Sequence, residues 1–202
     1  MKSKSVFSTE KLTYMGVLLA ILIIFAFTPL GYLRIGFVNI TFNMIPVIIG
    51  AIIVGPSGGA VLGLAFGLTS FAQAFGADPL GTALLQVNPF YMFIMCVVPR
   101  VLAGFLPGLT FKWMKKARTP YAVAVPVTAF IGSALNTLLF VTALWAFWHN
   151  AAPFTELFGK GMSLLGLFAV IITTNAIIEA IVNISVGVGV SSVIKYFSPF
   201  KK

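Results

Sequence analysis

The chain consists of long apolar stretches interrupted by short breaks that are polar or rich in glycine and proline. An α-helix needs about 20 mostly apolar residues to cross a bilayer, so this pattern predicts six membrane-spanning helices. The predicted spans are Leu12–Phe27, Thr41–Val54, Gly59–Phe75, Pro89–Phe111, most of Pro120–Trp148, and Met162–Tyr196. We expect an all-α integral membrane protein, a bundle of six helices, with residues 1–202 forming a single transmembrane domain.

The segments between these stretches carry the turn signals. Gly55-Pro56-Ser57-Gly58 predicts a tight turn between the second and third spans. The apolar run after the short polar N-terminus has no A-x-A-like cleavage site, so we expect the first span to be retained. The remaining connections are predicted to be loops: Thr28–Ile40, Gly76–Asn88, Lys112–Thr119 and His149–Lys160.

Composition supports a membrane location. Of the 202 residues, 59% are apolar or aromatic and 8% are charged, whereas a soluble domain carries roughly 25% charged residues. Such a chain cannot cover a water-facing surface, which excludes a soluble enzyme, a nucleic-acid binder and a disordered tail as interpretations of the whole chain. The single cysteine, Cys96, lies inside an apolar run and cannot form an intrachain disulfide.

The net charge of +9 is explained by topology rather than by an acidic partner. If the N-terminus is inside, the outer loops hold Arg34 and Lys160, and the other loop and terminal cations are inside. Those inner cations are Lys2, Lys4, Lys11, Lys112, Lys115, Lys116, Arg118, Lys195, Lys201 and Lys202. Because lysine and arginine concentrate on the cytoplasmic side, we expect both termini to be cytoplasmic. The inner charges also favour contact with anionic lipid.

Small residues recur every four positions on three of the predicted helices. Gly59, Gly63 and Gly67 share one face of the third span, and Gly104 with Gly108 does so on the fourth. Such faces let helix backbones approach closely in lipid, so we expect packing within the chain. Gly16 and Ala20 form a similar pair on the first span, which either packs internally or docks another membrane subunit.

Two ionisable residues fall inside predicted spans, where a charge costs roughly 2.5–3.5 kcal/mol on insertion scales. Arg100 lies near the middle of the fourth span, and Glu179 lies near the middle of the sixth. Their similar depth allows a buried ion pair between them. The functional alternative is that Arg100 meets an anionic substrate, or that the pair moves during a transport cycle.

Uncharged polar residues concentrate in the outer half of the predicted bundle. They are Asn39, Asn43, Gln73, Gln86, Asn88, Tyr91, Asn136, Thr137, Thr173, Thr174 and Asn175. Each buried amide needs hydrogen-bond partners, since an unpaired one costs a few kcal/mol. Hydrogen bonding between helices accounts for any one of them, but the set together predicts a polar cavity open to the outside.

The chain lacks the residues that most enzymes use. His149 is the single histidine, and four carboxylates are spread over the sequence, so neither a histidine metal site nor a catalytic triad is predicted. Gly55-Pro56-Ser57-Gly58-Gly59 lacks the Gly-Lys-Ser/Thr of a P-loop. We expect no metal, no cofactor and no ATPase activity in this chain, so any pumping draws its energy from partners.

The chain resembles the substrate-binding S component of energy-coupling factor (ECF) vitamin transporters over nearly its whole length. The likeness rests on the six predicted spans and on the prediction that both termini are cytoplasmic. The matching motifs are Leu12-Thr13 with Gly16 and Ala20, Gly55-Pro56 leading into Gly59, Gly63 and Gly67, Asn88-Pro89, Pro99–Gly104, and Asn175 with Glu179. Within the family the sequence is most like the pantothenate branch.

This resemblance implies a subunit that captures a vitamin from outside. The subunit would then topple in the membrane and release the vitamin inside. It implies partners as well: a transmembrane coupling subunit and two cytoplasmic ATPases that use ATP and magnesium. The family's docking motif, Ala-x-x-x-Ala, corresponds here to Gly16 and Ala20, so a glycine replaces the first alanine.

Pantothenate has a carboxylate, an amide and hydroxyls, which suit an arginine together with Asn, Gln and Thr side chains. Arg100 is the first candidate for the carboxylate, and Arg34 is the second. The other expected substrate-binding residues are Asn39, Asn43, Gln73, Asn88, Tyr91, Asn136 and Asn175. The same groups would suit folate or cobalamin.

Two functions of other classes remain open from the sequence. A membrane enzyme acting on lipid would need acid and base groups near the cytoplasmic headgroups, where the ionisable residues are nearly all lysines. A stand-alone secondary transporter or channel could use Arg100 and Glu179 as a proton-coupled gate, and inverted repeats would favour it. The two halves of the chain show no clear self-similarity.

Overall fold

The computed structural model describes residues 9–35, 38–171, 181–185 and 189, with the backbone alone for residue 30 and for the described part of 32–41. Helices dominate, as predicted. The elements are α1 (Thr9–Phe27), a 3₁₀ turn (Pro29–Gly31), β1 (Tyr32–Ile35), β2 (Val38–Thr41), α2 (Met44–Ile53), α3 (Pro56–Gln73), α4 (Pro79–Val87), α5 (Pro89–Lys116), α6 (Tyr121–Trp148), α7 (Ala152–Phe158) and α8 (Leu164–Ile171).

Three of the described helices are long and apolar enough to cross a membrane, namely α1, α5 and α6. Both α5 and α6 contain 28 residues, which makes each about 42 Å long. α2, predicted as part of a full span, has ten residues. It is about 15 Å long, so it reaches across half of a hydrocarbon core. The sixth predicted span lies mostly outside the described residues.

Two predicted loops contain helices, and one predicted connection forms strands. α4 lies within Gly76–Asn88, where the Asp78 carboxylate accepts a hydrogen bond from the Gly81 N–H at the helix start. α7 lies within His149–Lys160 and buries Phe154 completely. In the segment that follows α1, β1 and β2 pair antiparallel, with Arg34 opposite Asn39. The predicted basic loop Lys112–Thr119 is largely helical, because α5 continues to Lys116.

Glycines hold α3 against α5, as the sequence predicted. A Cβ atom at Gly59 or Gly63 would collide with the backbone of Gly104 or Arg100, respectively. A Cβ at Gly67 would lie 2.7 Å from the Val97 Cα atom. Any side chain along this stripe would force the helices apart, so the absence of Cβ atoms permits the close antiparallel crossing.

The apolar interior is divided into two clusters along the long helices. The first joins α1, α2 and α3 to the C-terminal half of α5 and the N-terminal half of α6, and includes Leu62, Ala103 and Ala129. The second joins α4, α7 and α8 to the opposite halves of α5 and α6. Between them, α5 contributes Arg100 and α6 contributes Ser133 and Asn136, which are all buried.

A buried polar layer as the candidate binding site

Five buried polar residues form what we call the polar layer: Asn43, Arg100, Ser133, Asn136 and Asn183. They come from the start of α2, the middle of α5, the middle of α6 and the helical segment 181–185. Polar groups at such depth are expensive unless they bond to one another or to a ligand. The layer is therefore the candidate site.

The packing of α2, α5 and α6 brings these residues to a similar level. A Cβ at Gly104 would lie 3.0 Å from the Val47 side chain, and one at Gly108 would lie 3.3 Å from the Ala51 carbonyl oxygen. Both contacts advance by four residues along each helix, so α2 and α5 run parallel. Asn43 and Arg100 each lie four residues before the contact of Val47 with Gly104, which places them at the same level.

The register of α6 follows in the same way. A Cβ at Gly132 would lie 3.1 Å from the Ile48 side chain and 3.4 Å from the Pro107 side chain. Because α6 runs antiparallel to α2 and α5, Asn136 lies near the level of Asn43. This register places three of the predicted substrate-binding residues, Arg100, Asn43 and Asn136, at a similar level.

The Arg100 guanidinium is held by a backbone carbonyl and two aromatic rings. Its Nη1 donates a hydrogen bond of 2.7 Å to the Met95 carbonyl oxygen. Its Cζ lies 4.8 Å from the centre of the Phe140 ring and 5.5 Å from that of Phe66, distances at which cation–π attraction operates. A positive charge is thus stabilised between α3, α5 and α6 while its plane is restrained.

Two asparagine side chains of the layer, Asn136 and Asn183, come from α6 and from the segment 181–185. Asn183 Nδ2 donates a hydrogen bond of 2.6 Å to Ser133 Oγ and thereby ties the segment 181–185 to α6. Within the part of the chain that the structure describes, the Oδ1 atoms of Asn136 and Asn183 have no hydrogen-bond partner. Buried acceptors of this kind are normally satisfied, so both could accept from a hydroxyl or an amide N–H.

Three of the predicted site residues lie near the ends of their helices and have structural contacts there. Asn88 Oδ1 accepts from the backbone N–H groups of Phe90 and Tyr91, both at 3.1 Å, and so caps α5. Gln73 Nε2 donates to the Ala26 carbonyl oxygen and ties α3 to α1. Tyr91 stacks on Phe147 with ring centres 4.8 Å apart.

Other predicted site residues cannot be placed at the level of side chains. Arg34 and Asn39 oppose each other in the hairpin, where the backbone alone is described. Asn175 and Glu179 lie outside the described residues. The predicted ion pair between Arg100 and Glu179 therefore stays a prediction.

Sequence reasoning missed Ser133 and Asn183, and it grouped Trp148 with aromatic residues that lie at the membrane interface or wall a pocket. Ser133 is three residues before Asn136 and hence on the same helix face, a spacing that could have revealed it. Asn183 is four residues after Glu179 in the sequence, so the same helical spacing on the predicted sixth span could have revealed it. Trp148 is buried at the end of α6, and within the described chain its Nε1 has no hydrogen-bond partner. Nothing in the sequence distinguishes it from an interfacial tryptophan.

Gly16 and Ala20 lie on the surface of α1. Both residues are exposed, and a Cβ at Gly16 would have no atom within 4 Å. The pair is therefore not used to pack helices within the described part of the chain, which removes the internal-packing interpretation there. A small, flat surface is left facing outward from the bundle.

The chemistry of the layer suits a small molecule that has both an anionic group and hydrogen-bond donors. A guanidinium binds carboxylates through charge-assisted hydrogen bonds, and amide oxygens accept from hydroxyls. In the described residues no group of three or more His, Cys, Asp and Glu side chains is arranged to hold a metal ion.

Comparison with known proteins agrees with this chemistry. The family model described as "ECF transporter, substrate-specific component" matches residues 10–191. A relative from Lactococcus lactis subsp. cremoris, named pantothenic acid transporter PanT, is 32% identical over 152 residues, which cover 69% of each chain. One from Leuconostoc mesenteroides, named pantothenate transporter PanT, is 27% identical over 194 residues and 92% of each chain. With its long apolar helices, the chain is a multi-pass plasma-membrane protein.

Proposed function

Because this chain belongs to the family of ECF transporter substrate-specific components, we propose that it captures pantothenate outside the cell for ATP-driven import. It acts as the membrane-embedded binding subunit and has no ATPase of its own. Two relatives named as pantothenate transporters support the choice of vitamin. The observation that carries the proposal is the buried, oriented guanidinium of Arg100 at the level of Asn43 and Asn136.

Pantothenate complements the polar layer group by group. Its carboxylate pairs with Arg100, and its hydroxyls and amide N–H donate to asparagine oxygens such as Asn136 Oδ1. The two donors of a buried asparagine side chain can serve the vitamin's amide carbonyl. The wider substrate set, nearer the outside, comprises Arg34, Asn39, Gln73, Asn88, Tyr91 and Asn175.

Transport in this proposal depends on a membrane complex. A transmembrane coupling subunit docks on the face formed by Gly16 and Ala20, and two cytoplasmic ATPases supply the energy with ATP and magnesium. The chain crosses the bilayer six times with both termini in the cytoplasm, which the distribution of lysine and arginine supports. The Arg100–Glu179 pair would balance the buried charge when no vitamin is bound.

Titration calorimetry of the purified chain against pantothenate, folate and cobalamin tests the substrate. We expect saturable binding of pantothenate alone. Arg100→Met should weaken it at least about tenfold, because a hydrogen bond to a charged group contributes about 1.5–3 kcal/mol. Arg100→Lys should fall between, since lysine keeps the charge but loses the planar fork. Arg118→Met, at the cytoplasmic turn, is the matched control and should bind normally.

Two results would contradict the proposal. If Arg100→Met binds pantothenate as tightly as the unmodified chain, Arg100 does not receive the carboxylate. If the chain alone takes up pantothenate into vesicles free of ATP, it is a self-sufficient transporter rather than a subunit.

A further inference from the structure

The Met95 carbonyl that receives the Arg100 hydrogen bond is the one that Pro99 leaves without a helical partner. In an α-helix the N–H of each residue donates to the carbonyl four residues earlier. Pro99 lies inside α5 and has no N–H, so the helix cannot supply this bond to Met95. Arg100 Nη1 supplies it instead, at 2.7 Å.

We propose that Pro99 is a positioning residue for pantothenate binding: by freeing the Met95 carbonyl, it orients the Arg100 guanidinium toward the substrate carboxylate. This inference rests on the proposed function. Pro99 itself is buried and acts through Arg100.

The direction of the hydrogen bond supports this role. Met95 is five residues nearer the start of α5, the end that the proposed topology places outside, so the side chain is drawn toward the side from which the vitamin arrives. The Phe140 and Phe66 rings restrain the guanidinium plane at the same time. A guanidinium has five N–H donors, so the bond from Nη1 to Met95 is compatible with a carboxylate at another edge.

Replacing Pro99 would weaken the hydrogen bond that orients Arg100 and would leave the charge of Arg100 in place. In Pro99→Ala the new N–H competes with Arg100 Nη1 for the Met95 carbonyl oxygen, so the hydrogen bond that aims the guanidinium is weakened. The carboxylate must then restrain the guanidinium itself when it binds, and this weakens affinity. Since alanine is favourable inside a helix, the variant is expected to fold.

The test compares pantothenate with pantothenol, in which an alcohol replaces the carboxylate, by calorimetric titration of the full purified chain. We expect Pro99→Ala to bind pantothenate about tenfold more weakly while its affinity for pantothenol changes less than about twofold. A purely structural role for Pro99 would weaken both ligands equally. Pro99→Val provides a second replacement that also restores the N–H.

Pro107 offers a matched control on the same helix. It lies inside α5 about 12 Å from Pro99 along the axis, and its replacement by alanine restores an N–H opposite the Ala103 carbonyl, away from the guanidinium. Pro107→Ala should leave the ratio of the two affinities unchanged. If it changes the ratio as much as Pro99→Ala does, the effect comes from straightening α5 and the inference is wrong.

Failure of this inference is distinguishable from failure of the proposed function. Unchanged or equally weakened binding of both ligands by Pro99→Ala, with Arg100→Met still selective against pantothenate, refutes the role of Pro99 alone. If Arg100→Met has no selective effect, or the unmodified chain does not bind pantothenate, the proposed function fails and the inference fails with it.

Discussion

Several polar side chains hydrogen-bond to backbone groups that lack a partner within a helix. Arg100 donates to the carbonyl of Met95, four residues before Pro99, and Asn88 accepts from two N–H groups at the start of α5. Gln73 donates to the carbonyl of Ala26 in the last turn of α1. In hydrocarbon such groups have no water to bond, so these side chains stabilise two helix ends and the part of α5 beside Pro99.

Asn88 has two assignable roles, and substitution separates them. Asn88→Ala should destabilise the chain by about 1 kcal/mol, because the cap on the Phe90 and Tyr91 N–H groups is lost; a thermal melt without ligand measures this. Asn88→Asp keeps the capping oxygen and should melt close to the unmodified protein. If Asn88→Asp is stable yet binds pantothenate more weakly, Asn88 also contacts the vitamin; unchanged affinity would contradict its place in the substrate set.

At this scale the sequence predicts residue types better than their contacts. Arg100 and Asn136 were selected because a polar group deep in an apolar run needs a reason, and both are buried. The sequence analysis did not assign the cap by Asn88, although asparagine followed by proline is a helix-start signal. The bond from Asn183 to Ser133 joins residues 50 apart, and no local pattern reveals such a distant partner.

Among the elements, long helices were predictable and short ones were not. α1, α3, α5 and α6 begin and end near the predicted residues because their apolar runs end at glycine, proline or charged positions. α4 and α7 escaped prediction because packing stabilises them: Leu84 and Phe154 are fully or almost fully buried in the second apolar cluster. The hairpin depends on pairing between β1 and β2, whose sequences resemble a continuation of the apolar pattern.

The close crossing of α3 and α5 predicts a strong dependence on Gly63. Gly63→Ala would drive a methyl group into the Arg100 backbone and to within 3.1 Å of the Val101 Cα atom. We expect a loss of about 1–3 kcal/mol in the free energy of unfolding, as for other overpacked sites, and weaker pantothenate binding because Arg100 shifts. Thermal melts and calorimetry measure the two effects.

The control for this substitution is Gly16→Ala, which adds the same methyl group to a helix where no atom lies within 4 Å. It should melt at or slightly above the temperature of the unmodified chain, because alanine favours helix more than glycine does. Equal stability of Gly63→Ala and Gly16→Ala would contradict the packing role assigned to the glycine stripe.

For the molecule as a whole, the exposed small face of α1 predicts where the proposed coupling subunit docks. Gly16→Trp and Ala20→Trp should each prevent the chain from copurifying with the coupling subunit and ATPases when all are coexpressed. Vitamin binding by the isolated chain should be unchanged, since this face lies on the outside of the bundle.

Ile21→Trp is the matched control for docking. Ile21 is also exposed on α1, but the 100° rotation per residue turns it well away from Gly16 and Ala20. This variant should still assemble. If both tryptophans on the small face leave the complex intact, or if Ile21→Trp disrupts it equally, the coupling subunit does not recognise Gly16 and Ala20.

The hairpin of β1 and β2 is expected to limit how far this end of the molecule can enter the hydrocarbon of the bilayer. A two-stranded ribbon satisfies the peptide groups that face its centre and leaves those along its two outer margins to be hydrated or covered by protein. The strands Tyr32–Ile35 and Val38–Thr41 therefore carry backbone groups that need water or protein partners, and β1 follows α1 after a single 3₁₀ turn. We expect these unpaired backbone groups to oppose any tilt of the bundle that would move the hairpin into hydrocarbon, because they would lose their hydration there.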